Sequence, residues 1–134
     1  MLDNSAWYLP RGITPSDIDW CIDNTGEILV GEFSSSCELW EQVSSGQRKL
    51  YRAMVINGAV AALCRHEVPT DRQINTRDDV KSFQVMFGRD GTVGCSILYD
   101  GRRWVRFVEE WFRDPGYLKR VLWKSYWNRK AVRS

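Results

Sequence analysis

Asp19 and Glu32 stand on either side of a turn signal, Asn24-Thr25-Gly26-Glu27. Residues 17–23 alternate, with Ile18, Trp20 and Ile22 on one side, and residues 28–33 form a second β-rich run. Two such runs around a short polar turn predict a hairpin. If Asn24 pairs with Glu27 across a two-residue turn, Asp19 faces Glu32 and Asp17 faces Ser34. Facing side chains in such a pair have Cβ atoms about 4.5–5.5 Å apart. Two carboxylates that close repel unless a proton or a cation stands between them. A hard divalent ion, Mg2+ or Mn2+, suits an oxygen pair of this kind. A bulge at Gly26 would shift the register by one, and acidic residues on an exposed strand are otherwise ordinary. Ile18, Trp20, Ile22, Leu29 and Phe33 fall on the opposite face and predict its core side.

A helix follows. Ser44-Ser45 can cap it, Asn57-Gly58 stops it after Ile56, and its apolar stripe is Leu50, Ala53 and Met54 with Tyr51 at the margin. Gln47 heads that stripe and can point at the adjacent sheet. Arg48 and Arg52 are four apart on a neighbouring face, with Lys49, in position to meet phosphates. The plainer alternative is a glutamine bonded to backbone and a solvated basic face.

Taken together, Ser16-Asp17-Ile18-Asp19, then Leu29-Val30-Gly31-Glu32-Phe33-Ser34, then Gly46-Gln47-Arg48 resemble the PD-(D/E)XK nuclease superfamily over about residues 13–56. The resemblance implies a mixed central sheet flanked by helices and metal-dependent phosphodiester cleavage at the hairpin. It implies that Asp19 is the metal-binding aspartate, Glu32 the second-motif acid and Gln47 the helix glutamine. The Phe33 carbonyl would be a further metal ligand. The second-motif lysine falls on Ser34, which carries no positive charge. Members of the superfamily sometimes move this lysine to the next helix, which makes Lys49 the first substitute, ahead of Arg48 and Arg52.

The remaining elements must hold this unit. Ala59–Val68 predicts a third strand, and residues 82–88 and 92–99 flank the hairpin signal Arg89-Asp90-Gly91. Residues 104–108 fit strand or helix, and Tyr117 to about Arg129 has helical spacing. The expected architecture is a single α/β (α+β) domain over residues 1–134, with a mixed sheet, an early hairpin, a crossover helix and a C-terminal helix.

The net charge of +2 conceals two poles. Residues 1–45 hold eight acids against Arg11, and residues 101–134 hold ten bases against three acids. A basic pole suggests a polyanion. Arg102, Arg103 and Arg106, with Lys119, Arg120 and Lys124 of the last helix, are the expected backbone contacts, with DNA expected before RNA as the ligand. Trp123 and Trp127 could stack on bases, although core packing is commoner for such residues.

The four cysteines are scattered and His66 is the only histidine, which argues against a zinc finger or a histidine-based nucleophilic triad. No apolar run approaches the roughly 20 residues a membrane span needs. The N-terminus has no signal-peptide pattern, so a cytoplasmic protein without a membrane partner is expected. The leading expectation is a Mg2+- or Mn2+-dependent deoxyribonuclease, with homodimerisation possible. The alternatives are a catalytically impaired nucleic-acid binder on the same fold, or an interaction module whose acidic face mimics DNA.

Overall fold

The early hairpin forms in the expected register. Strand β1 (Trp20–Asn24) pairs antiparallel with β2 (Glu27–Ser34), Asn24 facing Glu27 and Trp20 facing Gly31. Thr25 and Gly26 both have positive φ, 51° and 89°, the left-handed pair of a two-residue turn whose twist matches the strands. Asp23 Oδ1 accepts the Gly26 N–H at 2.9 Å and fixes that turn. The computed structural model describes residues 18–69 and 71–133. Asp17, expected opposite Ser34, lies outside them.

From β2 the chain rises into helix α1 (Ser45–Ile56) and returns as β3 (Val60–Arg65), parallel to β2 and beside it. Strand β4 (Ser82–Arg89) runs antiparallel to β3. It is followed by β5 (Thr92–Cys95) and the short β6 (Tyr99–Asp100), both paired with β4. The expected 92–99 strand is thus two pieces: Ser96 still donates its N–H to the Val85 carbonyl at 2.8 Å, but its Oγ in place of its carbonyl accepts the Val85 N–H at 3.0 Å, and its carbonyl accepts from Gln84 Nε2 at 2.9 Å. Helices α2 (Trp104–Arg113) and α3 (Pro115–Arg133) complete the chain. The result is a six-stranded mixed sheet in the order β1-β2-β3-β4-β5, with β6 also on β4.

The sheet is covered on both faces. Central strand β3, Val-Ala-Ala-Leu-Cys-Arg, is buried along nearly its whole length, as a strand between two helical layers must be. Val60, Ala62 and Cys64 face a core built with Phe83, Val85, Phe87 and the α2 and α3 residues Trp104, Phe107, Trp111, Leu118 and Leu122. Ala61 and Leu63 face the other core, built with Leu50, Tyr51, Met54 and Val55 of α1. Strand alternation alone produces this division. Residues 104–108, open between strand and helix in the sequence, are helical: Trp104, Phe107 and Trp111 recur at three and four and bury one stripe.

The hairpin's expected core face is corrected at one position. Trp20, Ile22, Leu29 and Phe33 do pack on the α2–α3 side, but Ile18 is buried with the α1 core. Ile18 precedes β1, so strand alternation no longer governs where its side chain goes.

Candidate functional site

Glu32 lies on the α1 side of β2 and is half-buried. Two donors from α1 converge on the same oxygen. Gln47 Nε2 donates to Glu32 Oε2 at 2.8 Å, and the Tyr51 hydroxyl donates to it at 2.7 Å. Gln47 and Tyr51 are four residues apart, so one helix face presents both. The Tyr51 hydroxyl also lies 2.9 Å from the Gly31 carbonyl oxygen. It has one proton for two acceptors, so that proton is shared between Gly31 and Glu32. The Trp20 indole lies against Gly31 on the opposite side of the strand, where a β-carbon would meet it at about 1.9 Å. A glycine is therefore required immediately before the acid.

Asp19 sits one step beyond the last registered pair, on the line that leads to Glu32. Its Oδ2 accepts the Phe33 N–H at 2.7 Å, which ties the residue across to β2. Burial and then the neighbouring Asp19 charge hold the Glu32 carboxyl above its ordinary range, while the bonds from Tyr51 and Gln47 pull it back. Tyr51 is pushed far above the usual tyrosine range, first by burial and then by Glu32. Among the described residues neither carboxylate has an ion-pair partner.

This donor set fits a hard divalent cation. It offers two carboxylates with no nitrogen or sulfur, and a negative charge that burial and proximity make costly. No group of three or more His, Cys, Asp and Glu residues suited to a metal occurs among the described residues.

The raised Glu32 carboxyl has a consequence for stability. A folded-state pKa above the unfolded one means the native state binds the extra proton. The associated stability is complete below the ordinary value of 4.5 and is lost as pH rises through the raised value. Glu32→Gln keeps one acceptor oxygen for Gln47 and Tyr51. It should melt higher than the wild type at pH 7, with the difference shrinking toward pH 4. Melting temperatures across that range check this, and a variant less stable at pH 7 would refute it.

The other expected residues are distributed differently. Ser34 Oγ accepts the N–H groups of Cys37 at 2.8 Å and Ser36 at 3.2 Å, closing the turn after β2. Lys49 is exposed, about 200° round α1 from Gln47, and is not brought to the carboxylates. Arg48 donates to the Glu41 carbonyl at 3.0 Å, and Arg52 lies within electrostatic reach of Cys95, toward β5. Phe33 contributes its N–H to Asp19, and its ring packs toward the α2–α3 core.

The C-terminal basic residues expected as backbone contacts lie away from the carboxylates. Arg102, Arg103, Arg106, Lys119, Arg120 and Lys124 belong to the α2–α3 side, whereas Glu32 meets α1 on the other face of the sheet. Lys119 serves the fold: its ammonium pairs with Glu27 and donates to the Gly58 carbonyl at 2.9 Å, clamping α3 to the hairpin. Arg102 pairs with Asp100, and Arg106 with Glu110.

Tyr51, at the margin of the α1 stripe in the sequence, is the further site residue. Its signal was the spacing from Gln47, which puts both side chains on one helix face. No helix among the described residues is long and apolar enough to cross a membrane. Comparison with family models, curated proteins and solved structures finds no match.

Proposed function

We propose that this chain is a metal-dependent nuclease that cleaves phosphodiester bonds in DNA, on the pattern of the PD-(D/E)XK superfamily. The observation that carries the reading is the approach of Asp19, just before edge strand β1, to Glu32 of the neighbouring β2, with no cation paired to either among the described residues. Mg2+ or Mn2+ held there would polarise a phosphate oxygen and acidify a water. Gln47 and Tyr51 hold one oxygen of Glu32 by donating to it, so its other oxygen keeps a fixed direction. Asp19 is held by the Phe33 N–H in the same way. The test is cleavage of plasmid and single-stranded DNA with Mg2+, Mn2+ or EDTA. Cleavage that needs a divalent ion supports the reading, and none with any metal opposes it.

A second reading, a nuclease-fold protein that binds DNA without cutting it, is favoured by the engagement of Ser34 in a turn and the outward position of Lys49. Side chains alternate along β2, so position 34 projects to the same face as Glu32. Ser34→Lys should therefore raise metal-dependent turnover by about tenfold or more, as a cation near developing phosphoryl charge does. Cleavage that appears only in this variant decides for the second reading. A variant that cuts no faster than an active wild type shows that position 34 is not where the cation acts.

A further inference from the structure

Helix α3 contains six bases, Lys119, Arg120, Lys124, Arg129, Lys130 and Arg133, and no acid. Its apolar side is spent on the fold: Leu118 and Leu122 are buried, and Trp123 and Tyr126 pack against the same core. Lys119 and Arg129 are also turned inward, Lys119 to Glu27 and Arg129 to the Cys95 carbonyl at 2.7 Å. The outer side remains. Tyr117, Arg120, Val121, Lys124 and Trp127 fall within about 120° of arc at 100° per residue, and all five are exposed. Trp127 leaves 47% of its surface in water and Tyr117 60%. Each ring has a cation beside it: the Lys130 ammonium lies 5.6 Å from the Trp127 ring centre, and the Arg120 guanidinium 5.9 Å from that of Tyr117. Lys124 has no ion-pair partner among the described residues. Val121 also lines a cleft of about 190 Å³ between α2 and α3, in which Arg103 lies over the Tyr99 ring at 5.2 Å.

We infer that the outer side of α3, continuing into the α2–α3 cleft, binds single-stranded nucleic acid. Its cations meet the phosphates, and Tyr117 and Trp127 stack on unpaired bases. Isolated flat rings between cations suit a strand whose bases are free, since a duplex keeps its bases stacked inside. A lipid surface would instead need a continuous outward apolar stripe, and the apolar stripe of α3 faces the sheet. This surface lies on the far side of the sheet from Glu32, so binding here requires neither the metal nor the carboxylates.

The test is fluorescence anisotropy in EDTA over a range of NaCl concentrations. The full chain is titrated into a labelled oligo(dT) of about 20 nucleotides, longer than the roughly 4–16 that a compact single-strand site covers. The equivalent oligo(U) and a duplex are run beside it. Tight binding of either single strand supports the proposal, and the tighter one identifies the source. The double variant Arg120→Glu/Lys124→Glu should bind at least about tenfold more weakly and flatten the salt slope by at least about 1.4, for two lost phosphate contacts. Trp127→Ala should weaken binding about tenfold with the slope unchanged, because stacking releases no counterions. All three side chains are exposed, and unchanged circular dichroism melts verify the fold. Variants within twofold of wild type would overturn the proposal. So would a duplex bound as tightly as the single strands, or binding to phosphatidylserine vesicles with none to either oligonucleotide. Binding is read in EDTA and without cleavage, so loss of cleavage and loss of this surface are distinguishable.

Discussion

Glu32→Gln and Asp19→Asn should each lower metal-dependent DNA cleavage by on the order of 10³-fold or more. Each substitution removes one of the two charges that would hold the ion, and metal polarisation of a phosphoryl centre is worth several kcal/mol. Both variants keep their local structure. An amide oxygen at position 32 can still accept from Gln47 and Tyr51, and one at position 19 can still accept the Phe33 N–H. The loss therefore reads charge and not unfolding. A thermal shift gives a second readout. Mg2+ or Mn2+ at about a hundred times its dissociation constant should stabilise the wild type by about 2.7 kcal/mol, and neither variant should respond. Cleavage within tenfold of wild type in either variant, or a metal-induced shift that survives both substitutions, would remove the carboxylate pair from the mechanism.

The largest expected loss of stability lies elsewhere, at Gly101. This residue is buried where β6 passes into the 3-10 turn Gly101–Arg103 and then α2. Its N–H donates to the Lys81 carbonyl at 2.9 Å. A β-carbon there would sit about 1.8 Å from the Val80 carbonyl oxygen and 2.6 Å from its carbon. Those are backbone atoms, and no rotamer change relieves them. Gly101→Ala must push β6 off β4, where Ser82 faces Asp100, or lift Trp104 out of its core contacts with Phe83 and Phe107. The expected cost is about 3 kcal/mol or more, the upper end of overpacking, and a melting temperature lower by on the order of 10 °C. Gly46→Ala is the control. It lies in the first turn of α1 with nothing within 4 Å of the added carbon, so helix propensity should make it neutral or stabilising. A Gly101→Ala protein that melts within about 2 °C of wild type would show that this turn yields.

Both results depend on how local chain chemistry meets tertiary packing, and the two were unequally visible in the sequence. The hairpin was readable because Gly26 permits the positive φ of a two-residue turn and alternation follows from the strand itself, whereas the positive φ of Thr25, unusual for a β-branched residue, is set by the folded hairpin. The α1 boundaries were readable from an end signal and a 3.6-residue period. These together carry Asp19, Glu32 and Gln47 to one place, since two local elements and a short crossover connect them.

The helicity of residues 104–108 was not decidable over five residues, because Trp104, Phe107 and Trp111 reveal their spacing only over eight. Tyr51 looked marginal on a helical wheel. Its ring is buried in the α1 core against Trp40, and its hydroxyl then meets the Glu32 and Gly31 oxygens that β2 presents, a partner the helix pattern alone does not name. The basic residues of the last third form a pole in the sequence, but sequence charge has no side. Only the placement of α2 and α3 on one face of the sheet and α1 on the other separates them from the carboxylates. That separation is settled by which face of each strand buries which apolar stripe. It is a property of the assembled sheet, and it turns Lys119 from a phosphate contact into the clamp that joins the last helix to the first hairpin.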